Sequence, residues 1–135
     1  ENAEAKPFVI CTGGEPLLQL DHALVDALHE VGFEVAVETN GTLSEPGNID
    51  WLTVSPKNPA DDPRFVQRKG DELKLVFPQP GIEPEDFAAL DFPHFFLQPM
   101  DGPDKQRNTA LVLDYCRRHP RWRVSLQTHK ILGVA

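Results

Sequence analysis

The sequence predicts an α/β fold built on a mostly parallel sheet, and three observations lead there. Short apolar runs of strand length recur along the chain. Segments with helical periodicity or short polar connections separate them, as parallel strands require. No repeat, low-complexity tract or Gly/Ser linker divides the 135 residues, so a single domain over 1–135 is expected.

The first element, Lys6 to Thr12, contains "FVI" and reads as a buried strand. A helix follows, in which Leu20, Leu24, Leu28 and Val31 recur at helical spacing. Asp21 is placed as its N-cap, Leu20 and Val25 as a hydrophobic staple, and Gly32 as its C-cap. "FEVAVETNGT" (33–42) alternates and ends in a turn, which predicts a second strand. "WLTVSPK" (51–57), "DELKLVFP" (71–78) and "HFFLQPM" (94–100) predict three more. Asn108 is positioned to cap a second helix through "TALVLDYCRRH", stopped by Pro120, and "WRVSLQTHKIL" (122–132) reads as a last strand.

Composition narrows the function. A net charge of −8 argues against a nucleic-acid binder that works by neutralising phosphates. Seven of the thirteen Lys and Arg nevertheless fall between Lys105 and Lys130. The stretch "RRHPRWR" (117–123) complements a helix C-terminus or meets an anionic partner. The longest apolar runs are too short to span a membrane, no signal peptide opens the chain, and a cytoplasmic location is expected. Cys11 and Cys116 are too far apart for a metal motif and are expected to be buried, reduced thiols, so no metal ligand is assigned in this chain.

The polar motifs "TGGEP", "ETNGT", "VSPK" and "LQPMDG" each follow a strand core directly. Carboxyl ends of parallel strands are where α/β proteins bind ligands. Each motif alone is weak, since "NG" and "SPK" are common in turns and loops. Together they offer backbone groups and a carboxylate at Thr12, Gly13, Gly14 and Glu15 for an ammonium. Ser55 and Lys57 offer a hydroxyl and a cation for a carboxylate or ribose, and Gln98 to Asp101 main-chain groups for a planar base, with Met100 as an apolar wall. That set suits S-adenosylmethionine better than a dinucleotide, because no G-x-G-x-x-G is present.

The combination of "CTGGEP", "ETNGT", "SPK", "LQPMDGP" and "LQTHK" resembles the 7-carboxy-7-deazaguanine synthase family of radical S-adenosylmethionine enzymes over essentially the whole chain. The resemblance implies a partial, barrel-like (βα) radical S-adenosylmethionine core. It also implies conversion of 6-carboxy-5,6,7,8-tetrahydropterin to 7-carboxy-7-deazaguanine and ammonia by radical ring contraction, a step toward queuosine and other 7-deazapurines. Carried over motif by motif, Gly14, Glu15, Ser55, Pro56, Lys57, Gln98, Pro99, Met100 and Asp101 would bind S-adenosylmethionine. Thr12, Glu38, His129 and Ala135 would bind the pterin, and no acid–base catalyst is named.

One departure is large. The family carries three cysteines for a 4Fe-4S cluster, two of them spaced C-x-x-C, followed by a Thr implicated in Mg²⁺ binding, and none of these occurs here. The resemblance therefore implies the C-terminal portion of such an enzyme, inactive alone, with the cluster and Mg²⁺ ligands upstream of Glu1 and a homodimer when intact. Two other readings stay open: a different radical S-adenosylmethionine enzyme, such as an activase, and a non-catalytic α/β ligand-binding domain.

Overall fold

A computed structural model describes residues 6–134. Six strands form one sheet: β1 (Phe8–Cys11), β2 (Glu34–Thr39), β3 (Trp51–Val54), β4 (Glu72–Phe77), β5 (His94–Pro99) and β6 (Trp122–Val124). They lie side by side in chain order, and every neighbouring pair is parallel. The sheet does not close into a barrel, since β1 and β6 stand at opposite edges. The helices are α1 (His22–Glu30), α2 (Pro84–Phe87), α3 (Lys105–Arg118) and α4 (Thr128–Leu132), with a 3-10 turn at Pro16–Leu18.

Parallel strands laid down in sequence, joined by crossovers of one hand, put their helices on one face of the sheet. The core has this form. Val25 of α1, Phe87 of α2, and Val112 and Tyr115 of α3 join one cluster with Val35, Val37, Leu52, Val54, Leu73, Leu75, Phe95, Leu97 and Trp122 of the strands. Because successive strand residues alternate in direction, the intervening positions line the opposite face. Those positions include Phe8, Ile10, Glu38, Thr53, Glu72, Lys74, His94, Gln98 and Arg123, a far more polar set.

Local signals explain most boundaries. Asp21 caps α1 by accepting from the Leu24 N–H at 2.9 Å, and Leu20 and Val25 are both buried beside it. Val31 is the C-cap, and Gly32 beyond it takes the left-handed φ of +94° that ends the helix.

Four expectations need correction. β1 is not buried: as an edge strand with one neighbour it leaves Phe8 and Ile10 half or more exposed on the helix-free face. In α1, Leu24 and Val31 are likewise exposed, because the buried stripe is as narrow as Val25 with Leu28 at its margin. Asn108 does not cap α3, which begins a turn earlier at Lys105. It is instead buried in the helix, donating its amide to the Met100 carbonyl at 3.0 Å. Finally, residues 122–132 are not one strand. The ladder's last rung is the Ser125 N–H on the Leu97 carbonyl, after which Leu126 is exposed and the chain turns into α4.

The two cysteines are free and only partly buried. In the basic stretch, Arg117 and Arg118 occupy the last turn of α3, and Arg118 pairs with Asp114 one turn back. Arg121 lies 4.0 Å from the Phe95 ring centroid and donates to the Ala88 carbonyl at 2.5 Å. These contacts give the cations structural partners.

Candidate functional site

One carboxylate joins two strand ends, and a backbone hydrogen bond ties in a third. After β1 the chain runs Thr12-Gly13-Gly14-Glu15, with Gly13 at a φ of +114° that a side chain would disfavour. Glu15 Oε1 accepts from the Thr39 hydroxyl at 2.8 Å and from the Leu17 N–H at 3.1 Å, while Oε2 accepts from the Asn40 N–H at 2.8 Å. Glu15 thus caps the 3-10 turn and binds the ends of β1 and β2 together. The β2 end continues into Gly41, whose N–H donates to the Thr39 hydroxyl, and the β3 end is tied in by the Ser55 N–H on the Thr39 carbonyl at 2.7 Å.

Over these ends, on the helix-free face, lies a cavity of about 820 Å³. It is within the range of about 300–1,000 Å³ typical of small-molecule sites. Of the residues singled out from sequence, Thr12, Gly13, Gly14, Glu38, Ser55, Lys57 and Gln98 line it, so all four motifs contribute. A Cβ built on Gly13 or Gly14 would meet no other residue within 4 Å, which leaves their backbone open to a ligand. The Ser55 hydroxyl is buried and finds no hydrogen-bond partner among the described residues. An orphaned buried hydroxyl facing a cavity fits a bound polar ligand.

Charges on the wall interact across strands. Lys74 on β4 donates to Glu38 Oε1 on β2 at 3.0 Å, and the Thr12 hydroxyl lies 3.5 Å from Oε2. Lys57 sits at the cavity mouth, where displaced water lowers its pKa; repulsion from Lys74 adds to this, and Glu38 opposes it. Glu72, two residues before Lys74 on the same face, is raised above the ordinary carboxylate range, chiefly by burial.

The other singled-out residues are placed elsewhere. Glu15 is bound as described, and Pro56 and Pro99 are buried beside the wall without lining it. Met100 donates its N–H to the Phe77 carbonyl at 2.9 Å. Asp101 pairs with Lys130 of α4 and, at 3.5 Å, with Lys105, and the Lys130 hydrogen bond leads in holding its pKa low. The His129 side chain and Ala135 lie outside the described residues. Thr39 and Asn40 of "ETNGT" and Leu126 and Gln127 of "LQTHK" also stand on the wall, as the motifs imply without naming each residue, whereas sequence reading missed Ile10, Lys74, Val76 and Ser125. Period-two alternation from Glu38 and Gln98 would have found Lys74 and Val76, since "ELKLV" puts both opposite the core-facing Leu73 and Leu75.

Among the described residues, no group of three or more His, Cys, Asp or Glu could hold a metal ion. Cys11 packs toward the helix-side core and Cys116 lies in α3, so these residues do not fit a 4Fe-4S cluster. The cavity, with Ser55, Lys57 and the open glycines, does fit a nucleoside ligand carrying an amino acid.

No protein-family model matches the chain. Among curated proteins, it is 62% identical to the 7-carboxy-7-deazaguanine synthase of Caulobacter vibrioides, over 94% of this chain and 59% of that protein. It is 57% identical to the 7-carboxy-7-deazaguanine synthase of Burkholderia multivorans, over 97% of this chain and 61% of that protein. The protein of the same name from Prochlorococcus marinus is 31% identical, and the match covers 98% of this chain and 70% of that relative. The chain belongs to the 7-carboxy-7-deazaguanine synthase family. It spans about three fifths of the length of the first two of these synthases. The cavity of this synthase-family chain draws residues from "TGGEP", "ETNGT", "SPK" and "LQPMDG", the motifs that carry the family resemblance.

Proposed function

We propose that the intact protein is a 7-carboxy-7-deazaguanine synthase, a radical S-adenosylmethionine lyase that contracts a carboxylated tetrahydropterin with release of ammonia. The observation that carries this reading is that four motifs meet at one cavity in a chain 62% identical to a protein of that name. S-adenosylmethionine would lie over Gly14, with Ser55 and Lys57 on its polar groups and Gln98 beside the base. Thr12 and Glu38 would face the pterin from the β1 and β2 ends. Bound S-adenosylmethionine and a 4Fe-4S cluster supply the radical chemistry, and Mg²⁺ supplies charge stabilisation at the substrate. The ligands of both metal groups would lie in a segment beyond this chain.

This chain's own residues bind and orient. Glu15 keeps the β1 and β2 ends at fixed separation, Gly13 and Gly14 let the ligand meet the backbone, and Glu38 presents an acceptor to ring N–H donors. We assign the enzyme to the cytoplasm as a homodimer. Two free cysteines accord with a reducing compartment, and an uncovered sheet edge accords with further protein around this chain.

The test is an anaerobic assay of the intact protein, reconstituted with iron and sulfide and supplied with reductant, Mg²⁺, S-adenosylmethionine and the carboxypterin. Formation of 7-carboxy-7-deazaguanine with ammonia is expected. An intact protein that binds S-adenosylmethionine yet leaves the carboxypterin unchanged would overturn the assignment, as would an upstream sequence without a C-x-x-C pair and a third cysteine.

A further inference from the structure

We infer that Lys74 is the positioning residue for Glu38, fixing which carboxylate oxygen the cavity presents to its ligand; this rests on the proposal that Glu38 receives the pterin. The pair crosses three strands. Glu38 on β2 is in register with Thr53 on β3, which is in register with Glu72 on β4, and Lys74 stands two residues further along. Its ammonium therefore spans the small, buried Thr53 to reach Glu38 Oε1 at 3.0 Å. The partners are unequal: the Lys74 side chain is 19% exposed and that of Glu38 is 42% exposed. The lysine is thus the more enclosed member of the pair and the glutamate the one that faces the cavity.

The chemistry gives this anchoring a purpose. An unpaired glutamate beside an open cavity samples several rotamers, and ordering it on binding costs conformational entropy. Lys74 meets that cost before the ligand arrives. It occupies Oε1 and leaves Oε2 for the ligand, with the Thr12 hydroxyl 3.5 Å from it. Glu72, two residues before Lys74 on the same face of β4, is the carboxylate beside this lysine on its own strand, and Lys57 is a second cation on the cavity wall that Glu38 and Lys74 also line. Lys57 has no hydrogen bond to Glu38, so it does not duplicate the anchor.

The experiment uses the intact, reconstituted enzyme with Lys74→Met, Lys74→Arg, Glu38→Gln and the Lys74→Met, Glu38→Gln double variant. Methionine keeps most of the buried stem and removes the charge. For Lys74→Met, KM for the carboxypterin should rise about tenfold, the loss of one ordered charge-assisted contact, with kcat changed less than about threefold. S-adenosylmethionine affinity should stay within about twofold, which also reports that the variant is folded. Lys74→Arg should recover most of the loss. On the Glu38→Gln background Lys74→Met should add less than about threefold, because its effect runs through the carboxylate.

Wild-type kinetics in a folded Lys74→Met enzyme would overturn the inference. So would a loss undiminished on the Glu38→Gln background, which would mean that Lys74 touches the substrate itself. Calorimetry with pterin-6-carboxylate, a non-reacting analogue, repeats the four-variant cycle without turnover. The same coupling there, in a protein that makes no deazaguanine, would sustain the inference while the reaction assignment failed. An intact wild-type protein that does not bind the analogue would sink both.

Discussion

At the scale of single residues, the site depends on groups whose partners are distant in sequence. Glu15 is visible as a carboxylate at a strand end, but the Thr39 and Asn40 donors that fill it come from the next strand and are not legible beforehand. Removing it strands those donors in a half-buried place. Glu15→Ala should cost about 2 kcal/mol in urea denaturation, within the range for losing a charged acceptor, and should weaken S-adenosylmethionine binding in the intact enzyme. An unchanged midpoint would show that water satisfies the strand ends equally well. Gly41 was readable as the glycine of an "NG" turn, whereas its packing was not. It sits at a φ of +81°, and a Cβ there would come within 2.7 Å of the Phe65 ring and 3.0 Å of Val54 Cγ1. Gly41→Ala combines left-handed strain with overpacking, so a loss of about 2–4 kcal/mol is expected by the same measurement.

At the scale of elements, five of the six strands begin and end within a few residues of the sequence reading, because apolar runs bounded by turn residues carry their own limits. The failures share a cause. Trp122, Val124 and Leu126 alternate like a strand, yet a strand lasts only while a neighbour pairs with it, and β5 offers its last acceptor at Leu97. α2 and the 3-10 turn, four and three residues long, carry too little periodicity to be seen. The β2–β3 connection shows how such a loop is held without a helix. Asp50 Oδ2 accepts from the Val35 N–H and from His29 Nε2, each at 2.7 Å, and the backbone bond leads in lowering its pKa. A carboxylate whose folded pKa lies below its unfolded value contributes stability at pH above the unfolded range, and that contribution disappears as pH falls through the folded value. Asp50→Ala should therefore cost about 1 kcal/mol near neutrality, the lower end for a charged acceptor because the side chain is 38% exposed. The difference from wild type should shrink steadily below about pH 4 in denaturation curves taken across the acid range. A gap that persists into strong acid would mean that the loop is held by something other than this carboxylate.

At the scale of the whole molecule, all-parallel sheets ordinarily have both faces covered, and here the described residues cover only one. Phe8 and Ile10 stand exposed on the other face of an edge strand that is paired on one side only. Such an edge invites pairing, so the 135-residue chain studied alone should sediment as a dimer or larger species at micromolar concentration. A stable monomer in analytical ultracentrifugation would count against that. The motifs made the class of site legible, since they fall at strand ends, but no single motif shows that they share one cavity. That follows from strand order, which sequence alone leaves open. The alternation of the strands has a consequence for how this protein can change. In β2, β4 and β5, one parity of residue packs the core while the other supplies Glu38, Lys74, Val76 and Gln98 to the cavity, so the two tasks draw on almost disjoint positions there. A deep mutational scan should show two interleaved combs along β2, β4 and β5: abundance tracking Val35, Val37, Leu73, Leu75, Phe95 and Leu97, and turnover tracking Glu38, Lys74 and Gln98, with Ser55 just past β3. Chemistry in such a sheet is free to drift while its foundation stays fixed, one residue away.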